Sequence, residues 1–295
     1  MAQRCLLAIL PLLFLFPPPS YAAAIAGDRA EGSSSYEFAE SLFLEGDYYR
    51  AITEYKRFLF HHPNHPQVER ACLRIAESLL RGKRWKEAVD SVEAFLLRFS
   101  RSGFRIDALF LKASAERESK SSDQALKTLE EIIRTAPPPA RDRALYEAAM
   151  ICLDQGKWSR ASAAADALSA TGRFAEAAPI LRGGLEEIDR LPQKSPALAG
   201  TLAAVLPGSG HLYTERPKDA LVAFLLNASF ALAAVQLYRN ENYAAAGIFL
   251  FFEIGWYGGN IYSAVGSAHK FNRRTKEDFV LDLRRRSDSA IKTVP

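Results

Sequence analysis

Apolar residues recur at helical spacing through the middle of the chain, between about residues 33 and 168. Phe38 and Leu42, with Tyr55 and Phe58, form an apolar stripe in the first unit, and Ile75 and Leu79, with Val92 and Phe95, repeat it in the second, with polar residues between them. A period close to 3.6 residues predicts amphipathic helices, because strands alternate with a period of two. The pattern continues without strand-like segments, so we predict an all-α fold.

Alanine positions repeat at a nearly fixed interval along these helices. The intervals are 37, 37 and 36 residues between Ala51, Ala88, Ala125 and Ala161. Twelve residues before each stands another alanine, namely Ala39, Ala76, Ala113 and Ala149. Two small residues in each unit let two helices approach closely, and Pro63 and Pro137 follow the second helix of two units. Internal repeats of this length predict a stacked helical array.

The pattern resembles tetratricopeptide repeats, with the usual unit of about 34 residues lengthened by two or three. Ala39, Gly46, Ala51 and Pro63 match the family directly, whereas Glu116 occupies a position that is usually apolar. The aromatic residue near the start of each unit is missing. The end of the first unit is similar to that of periplasmic repeat proteins that assist outer-membrane assembly or envelope division.

A fifth, partial unit is expected after the four regular ones, because residues 174–178 echo the start of a second helix. The predicted repeat domain therefore covers residues 33–190. In the family, the first helix of each unit lines a concave groove. Carried onto this chain, the groove residues are Tyr36, Glu40, Phe43, Leu73, Glu77, Arg81, Phe110, Arg117, Tyr146 and Met150. Aromatic, Arg and Glu side chains suit capture of a peptide or partner helix, and the alternative is packing between units.

The first 22 residues are predicted to be a signal peptide. Arg4 precedes an apolar run, three prolines end it, and small residues lead to a cleavage position at Ala22/Ala23. The alternative is an uncleaved N-terminal anchor. A cleaved signal would place the repeats in the periplasm of a bacterial cell.

A second region, residues 195–268, is predicted to be a membrane domain of two or three helices. Ala220–Tyr238 contains no charged residue, and Tyr243–Ala268 contains only Glu253. Nineteen residues of helix rise about 28 Å, close to a bilayer core of about 30 Å. A buried soluble hairpin is the alternative. The segment Ala197–Tyr213, broken by Pro207 and the residues after it, is either a short third span or a segment that enters the membrane and turns back.

The tail, residues 269–295, is predicted to be a basic cytoplasmic or interfacial segment. Its basic residues are Lys270, Arg273, Arg274, Lys276, Arg284, Arg285, Arg286 and Lys292. Basic flanks prefer the cytoplasm, so repeats outside and a tail inside require an odd number of crossings, which favours three. Phe279, Val280 and Leu283 would form an apolar edge on anionic lipid.

The sequence around residues 207–213 resembles a Pro-Gly-x-Gly-x-x-Tyr signature of small bacterial membrane domains whose function is unknown. The matching residues are Pro207, Gly208, Gly210, Tyr213 and Arg216. Glu215 stands where that family usually has glycine. The resemblance implies a membrane domain and no particular activity.

Two further features of the predicted membrane domain suggest contacts within the bilayer. Glu253 lies near the centre of its span, where an ionised carboxylate is costly, so it is either functional or protonated and hydrogen-bonded, with Asn227 or His211 as partner. Gly255 and Gly259 form a small-residue face suited to helix contact, and hence to an oligomer through the membrane helices.

Composition and charge exclude several classes of function. The net charge of +4 over 295 residues gives no reason to expect nucleic-acid binding. Cys72 and Cys152 lie two repeats apart and are predicted to be unpaired. His61, His62 and His65 are predicted to be solvated loop residues rather than metal ligands. No nucleophile–base pair, phosphate loop or zinc spacing appears, so we expect no enzyme activity, metal or cofactor.

The sequence therefore predicts a membrane-anchored periplasmic scaffold that binds a protein or peptide partner in the bacterial envelope, with the membrane lipid as its other contact. The alternative function is a component of an envelope assembly or transport machine, whose membrane domain handles the substrate.

Overall fold

A computed structural model describes the backbone of residues 19–293 and the side chains of residues 31–292. Every regular element in this range is a helix, so the predicted all-α fold is confirmed. The chain divides into two compact units at Ile151/Cys152. The predicted signal peptide, residues 1–22, lies outside the described residues except for the backbone of its last four.

The first unit is a series of consecutive helix pairs, as in a tetratricopeptide array. Its helices are α1 (Pro19–Leu44), α2 (Tyr48–His61), α3 (Val68–Arg81), α4 (Trp85–Arg98), α5 (Arg105–Glu118), α6 (Ser122–Thr135) and most of α7 (Pro138–Asp154). From α1 to α6 each helix packs against the next, and α3 also contacts α5. The paired alanines Ala39 and Ala51, like Ala76 and Ala88, are buried where the helices cross. The alanine spacing thus positions the helix pairs.

The same backbone turn joins helices in both units. A residue in the left-handed region precedes an N–H that bonds to the carbonyl five residues back, as from Asp47 to Leu42 at 2.9 Å and from Ser121 to Glu116 at 2.8 Å. The left-handed residue is glycine at Gly46, with φ +84°, but it is a lysine in the next two turns. At the turn between α3 and α4 this residue is Lys83, with φ +60°.

One residue of the predicted apolar stripe of the first unit faces solvent. Phe38 is 50% exposed, whereas Tyr36, Leu42 and Phe43 are buried. The buried face of α1 passes through Tyr36, Ala39 and Phe43 at spacings of three and four, which leaves Phe38 off that face. The assignment of Phe38 to the core is therefore wrong.

The second unit has a different helix arrangement. It contains α8 (Trp158–Asp166), α9 (Ala177–Glu187), a short 3₁₀ helix (Ile188–Arg190), α10 (Pro196–Val205), α11 (Ser209–Tyr213), α12 (Pro217–Arg239) and α13 (Tyr243–Thr293). Helices α12 and α13 pack as an antiparallel hairpin, in which the Phe230 ring lies 5.5 Å from that of Phe249 and 6.4 Å from that of Trp256. Helix α9 packs against α8 and α13, so the expected fifth unit is not a regular repeat.

The predicted third span is not one continuous helix. The segment Ala197–Tyr213 folds into α10, of 10 residues, and α11, of 5 residues. Ten residues rise about 15 Å, half of a bilayer core of about 30 Å. Within the described range, α12 alone is long and apolar enough to cross a membrane. The other predicted span forms the first half of α13, which does not meet that criterion.

The tail continues α13 and is covered by protein on its apolar side. Val280 and Leu283 are buried, and Leu283 packs directly on Gly184 of α9. Arg284 binds both carboxylate oxygens of Asp154 at 2.7 Å. The prediction that Val280 and Leu283 contact lipid is therefore wrong, because α9 occupies that face.

Candidate functional site

A polar network centred on Glu40 joins α1, α2 and α3 in the first two repeat units. Its Oε1 accepts hydrogen bonds from Tyr55 Oη at 2.5 Å, Tyr36 Oη at 2.9 Å and Arg74 Nε at 2.8 Å. Burial alone would raise the pKa of Glu40, but the bonds from Tyr55, Tyr36 and Arg74 lower it. Burial and the neighbouring Glu40 raise the pKa of Tyr36 to about 12. The carboxylate is therefore charged, and both phenols are neutral donors.

Arg74 extends this network along α3. Its Nη1 donates to Glu77 at 2.7 Å, and Glu77 accepts a second bond, also of 2.7 Å, from Arg81. The Phe43 ring lies 4.6 Å from the Arg74 guanidinium and 4.9 Å from that of Arg81, within the range of cation–π contacts. Aromatic and charged groups from α1 and α3 thus form one continuous surface.

A cavity of about 310 Å³ continues this surface between α3, α5 and α7. Exposed Arg70 and Arg143 lie at its edge, 5.9 Å from the Phe104 ring and 4.0 Å from the Phe110 ring respectively. Asp107 contributes an acidic side chain to the same lining. Arginines held over aromatic rings are suited to bind a carboxylate and an apolar group together.

Glu116, at a position that is usually apolar in the family, is buried and paired. Its Oε2 accepts a 2.7 Å hydrogen bond from Thr128, and Lys112 lies 3.9 Å away. Burial raises the pKa of Glu116, against the opposing effects of Thr128 and Lys112. The polar partners of Glu116 therefore account for its place in the helix pair.

The three histidines after α2 are not all solvated, which corrects the prediction. His62 is buried, and its ring and that of His65 pack on Phe58 at 5.8 Å and 5.2 Å. A Cβ atom placed on Gly32 would lie 2.9 Å from His65 Cδ2, so α1 closes over this pair. Among the described residues no group of three or more His, Cys, Asp or Glu could hold a metal ion.

In the second unit, the two glycines of the Pro-Gly-x-Gly-x-x-Tyr segment allow α11 to pack between other helices. Gly208 has φ +90°, and a Cβ there would collide with the Ala220 carbonyl. A Cβ on Gly210 would collide with the Ala199 carbonyl and lie 2.7 Å from Ala264 Cβ. The glycines are therefore required by close backbone packing.

Polar side chains of α13 fix this packing. Asn260 accepts from the Gly208 N–H and donates to the Ala203 carbonyl, both at 3.2 Å. Tyr213 Oη accepts from the Ser195 N–H at 3.0 Å. Glu215 adopts φ +64° at the turn between α11 and α12. The segment acts as a structural junction.

The hairpin contains two buried polar atoms without a hydrogen-bond partner in the described chain, Asn227 Oδ1 and Glu253 Oε2. Asn227 is 2% exposed and donates its amide to the Ala223 carbonyl. The expected hydrogen bond from Glu253 to Asn227 or His211 is not formed, because His211 instead lies 3.4 Å from Ser267 Oγ. A Cβ placed on Gly255 or Gly259 would meet no atom within 4 Å, so this small-residue face is open.

Residues 107–138, which comprise most of α5 and all of α6, match the family model of the tetratricopeptide repeat. The chain is also similar to a tetratricopeptide repeat protein from Parabacteroides merdae, with 15% identity and a TM-score of 0.44, over 87% of this chain and 98% of that one. No curated protein matches the sequence.

The network around Glu40 brings together five of the predicted groove residues: Tyr36, Glu40, Phe43, Glu77 and Arg81. Leu73 and Phe110 line the cavity. Arg117 is exposed and lies 3.5 Å from Glu118, while Tyr146 and Met150 are buried.

Sequence reasoning missed Arg70, Arg74, Phe104 and Arg143. Arg74 could have been found, because it stands three residues before Glu77 on the same helix, a spacing typical of ion pairs. The cation–π partner of Arg70 lies in the following repeat and that of Arg143 in the preceding one, so both contacts depend on tertiary packing. Neither Cys72 nor Cys152 forms a disulfide within the described residues.

Proposed function

We propose that this protein is a membrane-anchored tetratricopeptide scaffold that presents its array to a protein partner in the bacterial cell envelope. The observation that supports the proposal is the continuous surface of aromatic and charged side chains across α1, α3 and α5. Enzymes need convergent reactive groups, whereas this surface offers paired ions and ring faces, which suit recognition.

The partner we propose is an acidic peptide segment with at least one apolar side chain. Arg70 and Arg143 would bind its carboxylates, and Phe104 and Phe110 would contact the apolar group. A peptide bound along the first helices of the repeats would lie in the predicted groove. The exposed groove residues would contact the peptide, and the buried ones would pack below them.

A photo-crosslinking experiment in cells tests this surface. A crosslinker replacing Ser114, in the cavity lining, should give one dominant adduct, whereas one replacing Thr53, on α2, should give none. Arg70→Ala with Arg143→Ala should abolish the Ser114 adduct. The matched control is Arg50→Ala with Arg57→Ala, which removes two exposed arginines from α2. Equal adducts from Ser114 and Thr53 would contradict the proposal.

The anchor we propose is the α12–α13 hairpin. Its outer surface carries large apolar side chains, each more than 40% exposed, including Leu221, Phe224, Leu232, Ile248, Phe251, Ile254 and Trp256. A group of exposed large apolar side chains on one surface is typical of a membrane or partner interface. The hairpin is therefore unlike a buried soluble core, which would cover these residues.

The contacts of α13 favour two crossings. The chain enters the hairpin through α12 and turns at Asn240, and the far part of α13 then packs on α9 and Asp154, which precede α12. If α12 crosses a bilayer, the first half of α13 must cross back. The repeats and the basic tail then share one compartment, in contrast to the three crossings expected from charge.

We propose that this compartment is the periplasm, because residues 1–22 have the features of a cleavable signal. Reporter fusions test it. A fusion at Pro295 should report a periplasmic location and an insertion at Asn240 a cytoplasmic one. The opposite pair would move the repeats to the cytoplasm, and matching readings at both sites would exclude two crossings.

A second candidate is a component of an envelope assembly or transport machine whose membrane domain handles the substrate. Asn227 Oδ1 and Glu253 Oε2, which have no hydrogen-bond partner in the described chain, favour it. Polar atoms buried in a bilayer lower stability, so they are usually kept for a function. Glu253→Gln should then abolish function in cells without changing protein level. Full function with Gln would favour the scaffold.

The open face at Gly255 and Gly259 suits a second copy of the chain, since small residues let two membrane helices approach closely. Gly255→Leu with Gly259→Leu should shift the protein to a monomer in detergent. An unchanged oligomeric state would remove this contact.

A further inference from the structure

A second cavity, of about 610 Å³, lies where α11 and α12 meet the middle of α13. Its inner wall contains the buried Thr214 and Ser267. Arg216 Nη1 donates to Ser267 Oγ at 2.9 Å, and its Nε binds Asp219 at 2.5 Å. These two contacts fix the guanidinium at the wall, and three of its five N–H groups remain for a ligand.

Two cations on α13 face this cavity without an ion pair in the described chain. Lys270 and Arg274 are one helical turn apart and exposed, so their like charges repel each other. Three acidic residues also line the cavity. Lys194 binds Glu215 at 3.1 Å, and Glu277 and Asp278 follow Arg274 on α13. An anion between Arg216, Lys270 and Arg274 would offset the repulsion.

The position of the cavity along the hairpin indicates what kind of anion could reach it. The uncharged run of α12 begins at Ala220, and the apolar run of α13 ends at Ala268, so the cations stand directly beyond both. The Tyr213 and Phe271 rings lie here, 5.1 Å and 5.2 Å from Lys194 Nζ. Aromatic and basic residues at this level are typical of a bilayer–water interface.

We propose that this cavity binds the phosphodiester headgroup of an anionic phospholipid, through Arg216, Lys270 and Arg274. The volume is within the range of ligand pockets and exceeds what one phosphate needs. The proposal rests on the proposed hairpin anchor, because a bilayer at this level delivers the headgroup to the cavity mouth. It gives the basic residues beside the hairpin a ligand, in addition to any effect on orientation.

Lipid retention by the full-length protein tests the proposal. The protein is placed in bilayers of equal parts phosphatidylcholine and phosphatidylglycerol, extracted, washed and weighed by mass spectrometry with its bound lipid. Wild type should retain phosphatidylglycerol selectively. Lys270→Gln with Arg274→Gln should lower that retention by about tenfold or more, since each basic group near an anionic headgroup contributes to binding.

The matched control is Arg285→Gln with Lys292→Gln, which removes the same charge from exposed positions on the same helix. Arg285 lies 11 residues beyond Arg274, about 16 Å along the helix, which is farther than a Debye length of about 8 Å. It should leave retention unchanged. Equal losses in both variants, or no preference in wild type, would overturn the site.

Two further measurements distinguish a bound lipid from a soluble phosphate, and a failed lipid site from a failed anchor. Glycerol 3-phosphate should not compete with phosphatidylglycerol in detergent; full competition would make the ligand a soluble phosphate and overturn the lipid assignment. All variants should stay with pure phosphatidylcholine vesicles through an alkaline wash. Release there would contradict the hairpin anchor itself, and with it the lipid site.

Discussion

The repeat array buries large apolar side chains between its helices, whereas the α12–α13 hairpin exposes them. In the array Tyr55, Phe58 and Leu129 are almost completely buried, and the surface carries ion pairs. In the hairpin Phe251 is 73% and Leu232 71% exposed, while Asn227 and Ala246 are buried. This contrast is what the proposed membrane anchor requires, because apolar side chains are stable in contact with lipid but not with water.

What the two regions share is the way their helices approach. Small alanine side chains let the paired helices of the array approach closely, and Gly200, Gly208 and Gly210 do the same for the helices around α11. The same left-handed turn joins helices in both, at Lys120 in the array and at Glu215 in the second unit. The backbone geometry is therefore common, and the surface chemistry separates the regions.

The largest effect is expected from adding a methyl group at Gly210. Gly210→Ala puts Cβ against the Ala199 carbonyl and 2.7 Å from Ala264 Cβ, which the backbone cannot relieve locally. We expect a loss of about 3 kcal/mol in the stability of the second unit, typical of severe overpacking. Hydrogen exchange in α10–α12 of the detergent-solubilised chain would measure it.

The control is Gly247→Ala, where a Cβ meets no atom within 4 Å. Ala is favoured over Gly inside a helix by about 1 kcal/mol, so this variant should be slightly more stable. If both variants destabilised the second unit equally, close packing at Gly210 would not explain the effect.

The next effect concerns the exposed apolar surface of the hairpin. Phe251→Ser with Leu232→Ser should weaken membrane retention by about 1 kcal/mol per substitution, because lipid would otherwise cover both side chains. The control is Phe60→Ser with Leu97→Ser, at array positions 80% and 86% exposed, which should change nothing. Flotation with vesicles measures both. If the hairpin variant floats like wild type, its exposed surface does not contact lipid.

Much of the array could be predicted because its determinants are local. The spacing of Ala51 and Ala88 predicted the helix pairs, and Pro63 predicted the end of α2, which falls at His61. The buried face of α1 was assigned less well, since Phe38 and Tyr36 are only two residues apart and the pattern alone did not decide between them. Burial there depends on contacts with Phe58, across the helix pair.

The candidate sites were less predictable, because they join distant residues. Glu40 and Arg74 are 34 positions apart, and Asn260 reaches Gly208 across 52. The surroundings of the tail were also beyond the sequence: charge alone suggested a location for it, whereas the contact between Leu283 and Gly184 is a tertiary one. Polar partners of this kind appear only when the fold brings the helices together.

A smaller effect is expected from Glu116, the buried carboxyl of the array. Its pKa is raised by burial, so the folded protein holds the proton more tightly than the unfolded chain. The stabilisation from this group is complete below the unfolded-state pKa and is lost as pH rises through the folded-state pKa. Glu116→Gln, which still accepts from Thr128, should therefore raise the thermal midpoint at about pH 7 more than at about pH 4.

Circular dichroism melts at both pH values check this. Glu131→Gln is a suitable control, because that carboxylate is half-buried at 33% side-chain exposure and binds Arg105 at 2.6 Å. Glu131→Gln should lower the thermal midpoint at neutral pH or leave it unchanged. A Glu116 variant that is equally stabilised at both pH values would show that ionisation is not the cause.

The smallest effect compares two turns with the same backbone, Lys120 in the array and Glu215 in the second unit, both with φ +64°. Glycine relieves a left-handed conformation that costs other residues about 1–2 kcal/mol, but it gives back part of this through unfolded-chain entropy. Lys120→Gly should therefore stabilise by about 0.5 kcal/mol. Glu215→Gly should gain less, because it also removes the 3.1 Å ion pair with Lys194, an exposed pair whose contribution is about 0–1 kcal/mol. Hydrogen exchange at the two turns measures the difference, which equals the contribution of that ion pair. Equal gains would mean that the pair contributes nothing, and that the second unit keeps Glu215 for some purpose other than stability.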